Sequence, residues 1–167
     1  MKNCVLYLNR LSLVLNKVLV GIAGAVLVLM VALACANVVL RSFGYPIKGT
    51  FELIGYFGAI VAAFALGITQ INKQHIAVDV VINLFPPSIK RILAGIGSLV
   101  AMVFFILTAW QTVRWGTTLW RVHELSETLR IVYFPFVYAV SLGCSVIALV
   151  LLIDMLRLIS AEEGVDS

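Results

Sequence analysis

Charge is missing from the middle of every long apolar run in this chain. Four runs, at about residues 18–40, 51–71, 92–113 and 131–153, are each long enough to cross a hydrocarbon core of about 30 Å at 1.5 Å rise per residue. The only ionised residue inside a run is Glu52, one position from its start. Transport cores and redox subunits place ionisable groups or ligands at mid-depth, because their chemistry happens there. Quiet span centres therefore predict a membrane protein that does not itself perform the chemistry. No catalytic residue and no enzymatic activity are expected.

Cysteine and histidine are scarce as well. The three cysteines, Cys4, Cys35 and Cys144, form no CxxC pair, which argues against a four-span thiol oxidase. The two inside apolar runs read as small hydrophobes. The apolar stretch before Cys35 is longer than a signal-peptide core and continues past the cysteine, so an uncleaved first span is expected. Both histidines, His75 and His123, fall outside the runs. That leaves no inward-facing pair for haem and no third ligand at a spacing suited to a metal. No cofactor and no metal are expected.

What the chain does contain is apolar surface. Hydrophobic residues make up 62% of the 167 and charged ones 12%, with a mean hydropathy of +1.10, which excludes an ordinary soluble domain. Every backbone N–H and C=O in lipid must be satisfied within its own segment, so the runs are predicted to be helices. The expected fold is all-α: one membrane domain over residues 1–167 with four transmembrane helices. The formal charge of +4 comes from basic residues at the span ends. Those suit lipid headgroups and give no reason to expect nucleic acid. Lys2, Arg10, Lys17, Lys73, Lys90, Arg91 and Arg157 fall on one side of the membrane, against Arg41, Lys48, Arg114, Arg121 and Arg130 on the other. The richer side is expected to be cytoplasmic, and with it both termini.

The connections add detail. Residues 4–17 mix Asn9, Arg10, Asn16 and Lys17 with apolar neighbours. They read either as an amphipathic helix lying at the interface or as the solvated start of a longer first helix. Between the second and third runs, His75, Asp79 and Asn83 recur every four residues among apolar side chains. That spacing predicts a short interfacial amphipathic helix over about 74–85, ended by Pro86-Pro87. After the third run, Trp110, Trp115 and Trp120 suit an aromatic belt, and the helix is expected to continue to about Glu124.

The candidate functional residues are features of assembly. Gly55, Ala59, Ala63 and Gly67 stand at four-residue spacing in the second span. Small residues in such a row let another helix approach closely, where lipid removes the hydrophobic drive for association. The partner helix lies either within this chain or on another subunit. Glu52, at a helix start, is favoured by the macrodipole and is expected to pair with Arg41 or Lys48. Asn37, one turn before Arg41, is expected to make an interhelical hydrogen bond.

These residues together resemble a known family. The order is Asn37 and Arg41 closing the first span, Glu52-Leu53 opening the second, then His75-Ile76-Ala77-Val78-Asp79, and a basic stretch after two prolines at Pro86, Pro87, Lys90 and Arg91. The pattern resembles the small membrane subunit, of the DctQ type, of tripartite ATP-independent periplasmic (TRAP) transporters. The likeness covers roughly residues 18–153, although Pro135 is the only proline where the family carries further ones near the fourth span. The resemblance implies a bacterial inner-membrane protein partnered by a large multi-span subunit, which holds the sodium and substrate sites, and by a periplasmic binding protein. The substrate class implied is a carboxylate, such as a C4-dicarboxylate or a sugar acid. It also implies a scaffolding role for the small subunit, consistent with the quiet spans. The competing reading is a self-sufficient, dimeric, proton-coupled exporter that uses Glu52.

Overall fold

The protein is described by a computed structural model covering residues 2–71 and 87–160. Four helices follow in order: α1 (Lys2–Ser42), α2 (Thr50–Ile71), α3 (Pro87–Val122) and α4 (Phe134–Ser160). Each is long and apolar enough to cross a membrane, and the chain is an all-α membrane protein. The interfacial helix expected at about 74–85, with His75 and Asp79, lies outside the described residues.

α1 decides between the two readings of the leading segment. It is one unbroken helix of 41 residues, about 60 Å long at the standard rise. Residues 4–17 are therefore its first turns. α3, at 36 residues, ends at Val122, close to where the sequence placed its end. α4 begins at Phe134, three residues later than its apolar run. Val132 is held in an isolated antiparallel bridge to Leu125, and Pro135, with its fixed φ and missing N–H, suits a helical first turn.

The helix ends are set by local chemistry. At the end of α1 the Tyr45 N–H donates to Leu40 O at 2.9 Å and the Gly44 N–H to Arg41 O at 3.1 Å. This is a Schellman cap with Gly44 in the left-handed position at φ 84°. α3 ends in the same way, the Glu124 N–H donating to Leu119 O and the His123 N–H to Trp120 O. There the left-handed residue is His123, at φ 52°.

α4 is the buried centre of the bundle. It packs against α3, α2 and α1, and α1 also packs on α2. Pairs of close residues give the directions. Asn16 meets Gly67, Ala63 meets Gly143, and Gly116 lies against Tyr138 and Val137. Neighbours in sequence therefore run antiparallel, while α2 and α4 run parallel. α1 buries a single narrow stripe, Ser12, Asn16, Leu19 and Ala23, at the alternating four-and-three spacing that keeps one helix seam facing another. Leu19 and Ala23 join Ile60, Ala63, Phe64 and Val146 in the core.

Candidate assembly site

Glu52 sits in the first turn of α2 and reaches across to the α3–α4 connection. Its carboxylate accepts from the Ser126 hydroxyl at 2.9 Å, the Thr128 N–H at 2.8 Å and the Leu129 N–H at 3.3 Å. The partners are not Arg41 or Lys48, the expected ones. Both of those side chains are exposed, whereas the loop offers two backbone N–H groups and a buried hydroxyl in one concave turn. Charge-assisted bonds of this kind are roughly twice as strong as neutral ones.

The loop is shaped to be held this way. Leu125 and Val132 form its bridge, the Ser126 N–H donates to Ile131 O, and the Arg130 N–H donates back to Ser126 O. Arg130 is left-handed at φ 51°. Gly49, just ahead of α2, is also left-handed at φ 75°, and a Cβ there would run into the Leu129 side chain. Beneath the loop lies an aromatic layer. Tyr56 stacks on Tyr133 at 5.7 Å and on Phe136 at 5.2 Å, and the Tyr133 hydroxyl donates to Glu124 at 2.9 Å. Glu52 thus ties the start of α2 to the start of α4.

Asn37 also differs from expectation. Its side-chain oxygen accepts from the Ile47 N–H at 2.9 Å, so it braces the α1–α2 turn and does not bridge two helices. Arg41 contributes a backbone carbonyl to the α1 cap while its side chain is exposed.

The small-residue row divides in two. Ala63 and Gly67 are buried inside the bundle. A Cβ on Gly143 would stand 2.7 Å from Ala63 O and 2.9 Å from the Ala63 Cβ, so α2 and α4 touch backbone to backbone here. Gly55 and Ala59 are exposed, and nothing lies within 4 Å of where a Gly55 Cβ would be. The reason is rotational: at 100° per residue a strict four-residue spacing advances about 40° at each step. The row therefore winds from the bundle interior to its outer face.

Three contributors were not singled out from the sequence. Gly143 and the loop of Ser126, Thr128 and Leu129 gave no periodic signal. Asn16 carries only the weaker mark of a polar residue among apolar ones. It is fully buried (0% exposed), with its Nδ2 donating to Ser12 O at 2.9 Å. At the far end of the bundle, the Gln70 side-chain amide donates through Nε2 to Asp154 at 3.3 Å. Among the described residues no group of three His, Cys, Asp or Glu stands close enough to hold a metal ion.

The arrangement is built of braces between helices, with a small-residue face left open. No curated protein matches the chain, and no solved structure does. The sequence model of the tripartite ATP-independent periplasmic transporters, DctQ component, matches residues 30–161. That stretch holds Asn37, Glu52, the small-residue row, the Ser126–Leu129 loop and Gly143, and the chain belongs to the DctQ family.

Proposed function

We propose that this chain is the small, non-catalytic subunit of a TRAP-type secondary transporter in the bacterial inner membrane. It scaffolds a large multi-span subunit during sodium-coupled uptake of a carboxylate delivered by a periplasmic binding protein. The whole chain acts as one membrane domain with both termini in the cytoplasm. One observation supports the scaffold role above the others. Among the described residues the spans contain two carboxylates, Glu52 and Asp154, each near a span end. Each is bonded to another segment of the same chain. Acids committed to holding helices together are poorly placed to carry a coupling ion. The exposed Gly55 and Ala59 supply the close-approach face that a second membrane protein needs where lipid gives no hydrophobic drive.

Co-expression with a large multi-span partner and purification in detergent tests this. A stable, stoichiometric complex is expected, and Gly55→Leu or Ala59→Leu lowers its yield. Substrate efflux by this chain alone in proteoliposomes, abolished by Glu52→Gln, would instead establish the exporter reading.

A further inference from the structure

The packing contacts fix the heights of the helices relative to one another. Asn16 meets Gly67 and Ala63 meets Gly143. Tyr56 stacks on Phe136, Gly116 lies on Tyr138, and Ser141 donates to Ala109 O. Followed from helix to helix, these pairs put Val28 of α1 level with about Trp115 of α3, and Lys17 level with about Phe104.

Charge is distributed unevenly against those heights. α1 is free of charged residues over 18–40, and α3 over 92–113. The centre of the α3 stretch is level with about residue 15 of α1, whereas the α1 stretch centres near residue 29. The offset of about 14 residues is about 20 Å along the bundle at the standard rise. The charge-free stretches of α2 and α4, centred near residues 62 and 142, fall between these two extremes. The displacement is thus progressive: α1, then α2 and α4, then α3.

The exposed surface repeats the pattern. On α3, Gln111, Arg114, Thr118 and Arg121 stand at three-and-four spacing, on the side opposite the buried Ala109, Gly116 and Leu119. Gln111, Arg114, Trp115 and Thr118 line an open groove there. Arg114 has no carboxylate partner among the described residues. At the same height the outer face of α1 is apolar, with Val28 at 70% exposure. In an upright bundle one slab of hydrocarbon would have to cover both faces, or neither.

We propose that the bilayer crosses this bundle obliquely. The Arg114 face of α3 then meets the headgroup phosphates of one leaflet where α1 is still in hydrocarbon. Lys17 of α1 meets the phosphates of the other leaflet where α3 is still in hydrocarbon. α1 and α3 both pack on α4 but make little or no contact with each other, so about two helix spacings of about 9 Å separate them. A tilt at the upper end of the roughly 0–40° range of transmembrane helices supplies about 15 Å over that distance, and the long basic side chains reach the remainder of the offset, about 5 Å. Trp110, Trp115 and Trp120 then lie along the water boundary of α3, as interfacial aromatics do.

Spin labels on single cysteines test the proposal in the full chain, with Cys4, Cys35 and Cys144 replaced by Ala. The vesicles are phosphatidylethanolamine and phosphatidylglycerol. Val28→Cys, Trp115→Cys, Lys17→Cys and Phe104→Cys all lie on exposed positions. Collisions with an aqueous nickel chelate and with lipid-soluble oxygen report depth. Within the level pair Val28 and Trp115, the Trp115 label should favour the nickel chelate several-fold over the Val28 label. Within the pair Lys17 and Phe104, the Lys17 label should do so. Equal depths in either pair overturn the proposal, and so does a bias toward α3 in both pairs, which would mean a simple vertical shift. A Trp115 label shielded from both reagents also overturns it, because protein would then cover that face.

Discussion

The Asn16 side-chain oxygen lies where Gly67 would carry a Cβ. It has no conventional hydrogen-bond partner and is sealed from solvent. A buried orphan acceptor is uncommon in native structures. Here the Gly67 Cα–H bond points at it, and such contacts between helices are worth about 0.5–1 kcal/mol each. The glycine therefore serves two ends at once. It admits the α1 backbone side to α2 and it supplies a weak donor to an oxygen that has no better one.

That relationship predicts an unusual rescue. Gly67→Ala puts a methyl group onto the Asn16 oxygen and should cost about 1–3 kcal/mol, the usual range for overpacking a filled interior. Asn16→Ala in the same chain removes the obstructing atom. Thermal unfolding in detergent should show Gly67→Ala well below the parent, and the double variant above Gly67→Ala. Additive losses would mean that the two residues do not meet.

Gly143→Ala carries the same kind of penalty with no flexible side chain to relieve it. The methyl group would meet the Ala63 carbonyl and Cβ, so α2 and α4 must separate. A loss of about 1–3 kcal/mol is expected, and Gly143→Leu should fail to assemble. Cross-linking between cysteines placed at the two helix surfaces, reduced in Gly143→Ala, would report the separation directly. Unchanged cross-linking and unfolding temperature would show the crossing to be looser than the Gly143–Ala63 contact requires.

The bundle was legible in the sequence because hydrophobic length and the demand for internal hydrogen bonding leave little choice in lipid. The four runs each fall on one helix, and only residues 131–133 of the fourth lie outside it. The partners of the polar residues were not legible. Glu52 has two basic residues close in sequence, yet it bonds to a loop more than seventy residues away. Proximity along the chain says nothing of a hairpin folded back from the end of α3. The four-residue row reads as one face, but its drift of about 40° per step splits it between interior and exterior. Asn16 was visible as a polar residue, but its use depends on Gly67 lying opposite, which only the helix pairing supplies.

Asn37→Ala should leave the bundle intact and loosen one turn. The Asn37 oxygen is the acceptor for the Ile47 N–H, in a segment that leads into the buried Thr50, whose hydroxyl donates to Ile47 O at 2.8 Å. Loss of a single neutral bond should cost about 0.5–1.5 kcal/mol. Amide exchange at Ile47 should accelerate while that at core residues such as Ile147 is unchanged. Faster exchange throughout α1 and α2 would restore the idea of a bridge between helices.

Glu52→Gln gives the sharpest test of the brace between α2 and the α3–α4 loop. Glutamine keeps the length but offers one oxygen and an NH2 group where the carboxylate offers two oxygens. Thr128 and Leu129 donate backbone N–H groups to different carboxylate oxygens, so the amide must face a donor with a donor. Bonds to a charged acceptor are worth about 1.5–3 kcal/mol, and a loss in that range is expected for Glu52→Gln. Ser126→Ala removes one donor only and should cost less. Because Ser126 acts through Glu52, the pair Glu52→Gln with Ser126→Ala should fall short of the sum of the two losses. Amide exchange at Thr128 and Leu129 should quicken in Glu52→Gln, with the α1–α2 turn at Ile47 unaffected. If Thr128 exchanges at its parent rate, the carboxylate does not hold the loop, and Glu52 is free for another role.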